Sequence, residues 1–183
     1  NKAAFARVQT ISGLRGIGKT QTALEYAYRF RDCYTSILWL RAETNDLFTA
    51  DIMRIAVELN IVGKDKQQTI AAFARWLQTY EHWLLVIDNV ESMQLVYSIL
   101  PADFKGHVLL TTQSRITGPF SLARDLEGLS VKEGALFLLR RAKLIDDDAD
   151  FKEATQEQQQ DSLWLSDLLG GHPLALEQAA AYI

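Results

Sequence analysis

The sequence predicts an α/β fold, a five-stranded parallel sheet in a three-layer sandwich, followed by a small all-helical part. Three observations point there. Short apolar runs (VQTIS, SILWL, WLLVID, VLLTT and a last one around Arg124 to Leu129) alternate with segments whose apolar residues recur at helical spacing. The first run feeds directly into a glycine-rich loop, GLRGIGKT, at Gly13 to Thr20. From Ser130 onward only helical patterning remains. The expected division is residues 1–129 for the sheet domain and 130–183 for the helical subdomain.

Composition narrows the class. The 183 residues are 48% hydrophobic, enough for a sizeable core in one domain with an appendage. A net charge of −4 argues against a dedicated nucleic-acid surface. Cys33 stands alone, which excludes a disulfide framework and a cysteine-based metal site and suits a reducing cytoplasm. No apolar run approaches the roughly 18 residues of a membrane span, so no membrane partner is expected, and the start is too short and polar for a signal peptide. The chain looks like a piece of something longer.

In order, Val8 to Ser12 is the first strand, and the helix after Thr20 carries Ala23, Leu24, Ala27 and Tyr28 at helical spacing. Ser36 to Leu40 is a second buried strand, with Trp39 read as core. Phe48, Ile52, Ile55, Ala56 and Leu59 form one helical stripe, and Ile70, Phe73, Ala74 and Leu77 another. Trp83 to Asp88 is the third strand. Met93 to Leu100 is a helix closed by Pro101, and Val108 to Thr112 the fourth strand. After Gly118-Pro119 the fifth strand completes the sheet. Ser130 and Glu133 form a capping box for a helix through Val131, Leu136, Leu139 and Ala142. The acidic stretch Asp146 to Asp150 and the Gln-rich EQQQ read as linker and helix surface. Leu163, Trp164, Leu168 and Leu169 make a further helix ending at Gly170-Gly171, and His172-Pro173 starts the last one.

Chemistry concentrates in the loop. Gly13, Gly18, Lys19 and Thr20 fit G-x-x-x-x-G-K-[ST], preceded by a strand and followed by a helix, as a phosphate-binding loop requires. Glycines let backbone amides turn around a phosphate, the helix adds its positive dipole end, and Lys19 adds a point charge. Thr20 offers a hydroxyl to Mg²⁺. An ordinary glycine-rich turn is the alternative, and the strand-loop-helix order speaks against it. Ligands of parallel sheets sit at the carboxyl ends of strands, so Asp88 arrives beside the loop as a Mg²⁺ partner, or else caps the next turn. Thr111, Thr112, Gln113 and Arg115 reach the same edge and could sense a terminal phosphate, Arg115 being equally readable as a solvated loop charge. These features specify a P-loop NTPase three-layer sandwich.

The series GLRGIGKTQTALEYAYR, ILWLRAE, WLLVIDN, VLLTTQSR, GALFLLRRAK and GGHPLALEQAAAYI resembles, over nearly the whole chain, the NB-ARC domain of STAND-type signal-transduction ATPases. The set that carries tetratricopeptide repeats after the nucleotide module is most similar. The resemblance implies ATP/ADP and Mg²⁺ as ligands. It implies a nucleotide cradle of Gly13, Arg15, Gly16, Ile17, Gly18, Lys19, Thr20 and Gln21, with Lys19 and Asp88 in catalytic roles and Thr20 and Asp88 as Mg²⁺ partners. It further implies sensors among Thr112, Gln113 and Arg115, and Pro173 packing on the nucleotide from the helical subdomain in an ADP-bound closed state. ATP/ADP exchange then controls opening and self-association, between an effector domain upstream and repeats downstream. Three departures stand out: Gln113 falls where the family has a sensor arginine, His172 where it has leucine, and Asn89 where many members have a second acid. The family's upstream segment that helps hold adenine is largely missing.

Asn89 bears on catalysis, because hydrolysis needs a residue that orients water and an amide is no base. Slow turnover suits a switch. Two other readings stay open, a true P-loop ATPase or small-molecule kinase and a scaffold that keeps nucleotide as a permanent folding ligand.

Overall fold

The computed structural model describes residues 7–113 and 122–183. The chain divides into two compact units, Asn1–Gly13 with Lys19–Asp125, and Leu14–Gly18 with Leu126–Ile183.

In the first unit, β1 (Val8–Ser12), β2 (Ser36–Arg41), β3 (Trp83–Asp88), β4 (His107–Thr112) and β5 (Leu122–Asp125) form one parallel sheet in the order β2-β3-β4-β1-β5. The connecting helices are α1 (Lys19–Arg29), α2 (Asn45–Glu58), α3 (Lys66–Thr79) and α4 (Met93–Ile99). A parallel sheet needs crossovers, and helices on both faces supply them. β3 shows the result, being buried along its whole length. Trp83, Leu85 and Ile87 pack with Phe48, Ile52, Phe73 and Leu77 of α2 and α3, while Leu84 and Val86 pack with Ala23 and Ala27 of α1. That period-two split defines the three layers.

Side-chain caps fix the helix starts. Leu47 donates its N–H to Thr44 (3.2 Å), Gln68 to Asp65 (2.8 Å) and Gln94 to Ser92 (3.3 Å). Two details differ from the sequence reading. On α1 the inward face is Lys19, Ala23 and Ala27, whereas Leu24 and Tyr28 are exposed. Each is one position on, turned by about 100°, and the alanines are what let the helix lie close to the sheet. β5 is also shorter and earlier than Arg124 to Leu129. The apolar end of that run is used elsewhere: Leu129 packs with Leu138 and Leu176 in the second unit and donates its N–H to Gly171. The Gly118-Pro119 turn and Arg115 lie outside the described residues. Cys33 is an exposed turn residue.

Asp51 of α2 is buried and accepts from the Arg41 backbone N–H (3.0 Å) and from its Nε and Nη2 (2.9 Å each). Hydrogen bonding and charge from Arg41 hold its carboxyl below the ordinary value of 3.8. A depressed carboxylate contributes stability above its unfolded value and loses it as pH falls through the folded one. Between pH 7 and pH 3 the wild type should therefore lose more urea resistance than Asp51→Asn, which starts lower at pH 7.

The second unit contains α5 (Val131–Arg141), α6 (Gln156–Leu168) and α7 (Pro173–Ala180). The Ser130–Glu133 capping box forms, and Thr155 with Gln158 makes a second one that starts α6 inside the Gln-rich stretch. α6 is a helix where expected, but its inner face is Ser162 and Ser166, while Trp164 and Leu168 are exposed. Close packing explains this: a Cβ on Gly134 of α5 would lie 2.1 Å from Ser166 Oγ. Arg141 donates from Nε to both Glu177 carboxylate oxygens (2.7 and 2.8 Å), tying α5 to α7.

Candidate functional site

β1 ends at Ser12, whose hydroxyl donates to Asp125 of β5, and the chain turns there into the loop. Gly16 and Gly18 have φ of 77° and 102°, a region L side chains rarely enter. Such turns are what point successive amides toward an anion. Ile17 is buried and anchors the loop; its N–H donates to Leu14 (3.3 Å). α1 begins at Lys19, so the positive end of its dipole lies at the loop's end, with Thr20 and Gln21 exposed in its first turn.

In the first unit Lys19 is 8% exposed and its Nζ donates to Gly13 O at 2.9 Å. Burial pulls its pKa below the usual lysine value, opposed by the charge of Asp88. Asp88 is buried at the carboxyl end of β3 and accepts from Thr20 Oγ1 (2.9 and 3.1 Å) and from Thr111 Oγ1. Thr111 Oγ1 in turn accepts from the Asn89 N–H at 2.8 Å, and Asn89 sits at φ 57°. Gln113 Nε2 donates to Asn89 Oδ1 at 3.2 Å. Thr112 is fully buried and its hydroxyl donates to Val90 O at 2.8 Å.

Sequence reasoning placed Asp88, Thr111, Thr112 and Gln113 at the sheet edge beside the loop that carries Lys19 and Thr20. It gave Thr111 no part in the network around Asp88. The signal was available: a threonine at the carboxyl end of the neighbouring strand supplies a hydroxyl where a buried carboxylate needs a donor.

A hydroxyl next to a carboxylate is a hard oxygen pair, the type of protein ligand Mg²⁺ takes when phosphates and waters supply the rest. Among the described residues there is no group of three or more His, Cys, Asp or Glu that could hold a metal by itself. The donor set therefore fits a cation that arrives with a phosphate.

In the second unit, Leu14–Gly18 lies against the start of α7. His172 Nδ1 accepts the Ala175 N–H (3.4 Å), so its Nε2 carries the proton donated to Arg15 O at 2.9 Å. Leu174 donates its N–H to Gly16 O (3.3 Å), and a Cβ on Gly16 would lie 2.8 Å from His172 Cε1. Pro173, at the first position of α7, is half-buried. A capping role for His172 is legible beside proline; its second bond, to the loop, is not.

No protein-family model matches the chain. A nucleotide-binding leucine-rich repeat (NLR)-like protein of Hyaloscypha variabilis is 28% identical over 197 residues, covering 94% of this chain and 19% of the relative. A signal transduction ATPase with numerous domains (STAND) with a tetratricopeptide-repeat sensor, from Pyrococcus horikoshii, superposes with a TM-score of 0.57 at 21% identity. That match covers 96% of this chain and 28% of the other. Drosophila ORC, solved bound to DNA, gives 0.59 at 15% identity, covering 96% of this chain and 55% of its own. C. elegans PCH-2 gives 0.56 at 14% identity, covering 96% and 54%. The solved structures establish the fold alone, and the chain spans less than a third of the length of the Hyaloscypha and Pyrococcus proteins. Fold, motif series and the Hyaloscypha relative converge: the chain resembles the NB-ARC modules of STAND-class P-loop NTPases.

Proposed function

We propose that this chain is the ADP/ATP-binding switch module of a larger signalling protein. The observation that carries the reading is the coupling of Lys19 and Thr20 with Asp88 at the end of a GLRGIGKT loop. In this reading the loop from Gly13, through Arg15, Gly16, Ile17 and Gly18, to Thr20 and Gln21 cradles the phosphates. Lys19 supplies charge, and Thr20 with Asp88 holds Mg²⁺, which neutralises phosphate charge when bound. Thr112, Gln113 and Arg115 are the sensors proposed for the terminal phosphate. Pro173 follows His172 and shares a unit with Arg15 and Gly16, which supports a role for it in nucleotide recognition.

Asn89 after Asp88 favours slow hydrolysis, since a positioned base is worth about 10²–10⁴ in rate and an amide cannot act as one. A switch also needs the two nucleotides to differ by roughly 10⁴ in their preference between closed and open forms to invert a population from about 1:99 to 99:1. ATP/ADP exchange that opens the protein for self-association, an upstream effector and downstream repeats complete the proposal. No helix among the described residues is long and apolar enough to cross a membrane, and the proposed setting is cytoplasmic.

Calorimetry on the 183-residue chain tests the core of this. ADP, and ATP with Mg²⁺, should each bind saturably, with steady turnover well below about 1 s⁻¹. Binding of neither nucleotide, with none restored when the upstream segment is added, overturns the reading, and faster turnover moves it to a true ATPase.

A further inference from the structure

We infer that the outward face of α6, built on Trp164 and Leu168 and flanked by Glu157, Asp161 and Asp167, is a docking surface for a basic amphipathic helix of a partner protein. The surface lies wholly within the second unit. Its use does not depend on nucleotide binding.

α6 turns its small residues inward and two of its largest outward. Ser162 and Ser166 are buried, Ser166 close against Gly134 of α5. At about 100° per residue, Trp164 leaves the helix on the side opposite both serines, and Glu157, Asp161, Asp167 and Leu168 fall within about 60° of it. Trp164 is 66% exposed and Leu168 63%. A solvated helix face ordinarily carries polar residues in that sector. Two large apolar side chains four residues apart lie one above the other on the helix surface, the spacing at which a second helix is anchored.

Charge says what covers this face. The helix, QEQQQDSLWLSDL, has three carboxylates and no Lys, Arg or His. Other acids of the unit are engaged: Glu133, Asp150 and Glu153 in capping boxes, Asp147 with Lys143 and Glu177 with Arg141. Glu157, Asp161 and Asp167 have no side-chain hydrogen bond or ion pair among the described residues. Asp167 stands in the last turn, where the helix dipole presents its negative end and favours a cation. A Lys or Arg brought from outside meets both charges. Apolar anchors ringed by carboxylates thus match a helix whose apolar stripe is flanked by basic residues. The same ring repels an anionic lipid surface or a nucleic acid. It also disfavours a second copy, because α6 against α6 sets like carboxylates together on a chain of net charge −4. One helix laid on one helix buries little area, so the contact is weak and transient.

The probe is a synthetic leucine–lysine peptide of about 18 residues, roughly five helical turns, with its leucines on one face, titrated into the 183-residue chain. A peptide with glutamate in place of lysine and one of scrambled order are the controls. The leucine–lysine peptide should bind saturably and shield Trp164 from acrylamide quenching. Trp164→Ala should weaken it by about 10-fold or more, as loss of an aromatic anchor does, with the urea midpoint held because the side chain is exposed. The triple variant Glu157→Gln, Asp161→Asn, Asp167→Asn should weaken it by about 10-fold and flatten its salt dependence. Tyr182→Ala, 94% exposed in the same unit, should leave it within about twofold. No binding of the leucine–lysine peptide, equal binding of either control, or full binding by Trp164→Ala or by the triple variant overturns the inference. Self-association of the wild type, or its binding to phosphatidylserine vesicles, that Trp164→Ala abolishes also overturns it and gives the face to that other occupant.

Discussion

Lys19→Ala is expected to cut affinity for ADP and for ATP with Mg²⁺ by about 100-fold, the largest functional effect of any single substitution here. A charge-assisted bond to phosphate at the upper end of its usual range accounts for a loss of this size. The same substitution should leave the nucleotide-free fold within about 1 kcal/mol of wild type. The reason is the environment of the ammonium: burial already depresses the Lys19 pKa, so the charged form is held at a cost that alanine removes. What is lost includes the bond from Nζ to Gly13 O, the attraction to the buried Asp88 carboxylate and the contacts of the stem. Calorimetry and urea unfolding on the same preparation should thus separate, with binding collapsing and the midpoint nearly still. A large fall in the midpoint would instead make Lys19 a structural lysine; ADP that copurifies and cannot be exchanged, with the variant unfolding, would favour nucleotide as a permanent folding ligand.

The largest effect on stability should come from Trp83→Ala, about 3–5 kcal/mol. Trp83 opens β3 and is fully buried, its ring tilted on Phe104 at 5.9 Å and its Nε1–H donated to Tyr80 O at 3.0 Å. Gly106 shows how closely the ring is enclosed, since a Cβ there would lie 2.2 Å from it. Truncation leaves a void that rigid strands on both sides cannot close. Trp83→Phe keeps most of the volume and loses the indole bond, for about 1 kcal/mol. Denaturant midpoints with an unchanged slope check both values. Because domains are stable by only about 5–15 kcal/mol, the alanine variant should be partly unfolded at elevated temperature.

The strands were legible because both faces of a parallel sheet are covered, which leaves unbroken apolar runs; Trp83 to Asp88 agrees with its observed limits residue for residue. The loop was legible because its chemistry requires fixed residue types at fixed spacing. Which face of a helix turns inward was less so. Leu24 and Tyr28 are as apolar as a core needs, yet Ala23 and Ala27 took the contact, since distance to the sheet is set by the smallest side chains and hydropathy does not record it. The same holds for Ser166 on α6 opposite Gly134. The fifth strand was misplaced because Leu129 is apolar on behalf of the helical unit, and a linear pattern does not say which core a leucine joins. At the site, Asp88 and Gln113 could be placed at one edge from strand ends alone. The bond from Gln113 to Asn89 and the bond from His172 to Arg15 depend on side-chain directions no spacing encodes.

β1 leads straight into the loop, yet both strands that flank it are distant in the chain: Val8 lies beside Val108, and Gln9 beside Leu122. During synthesis the ribosome releases the loop long before either flanking strand exists. Loop closures of that span are slow to form, and a nascent polypeptide arrested ahead of the fourth strand would hold the glycine turn without a platform beneath it. The loop is thus expected to gain its platform only after both distant pairings have closed.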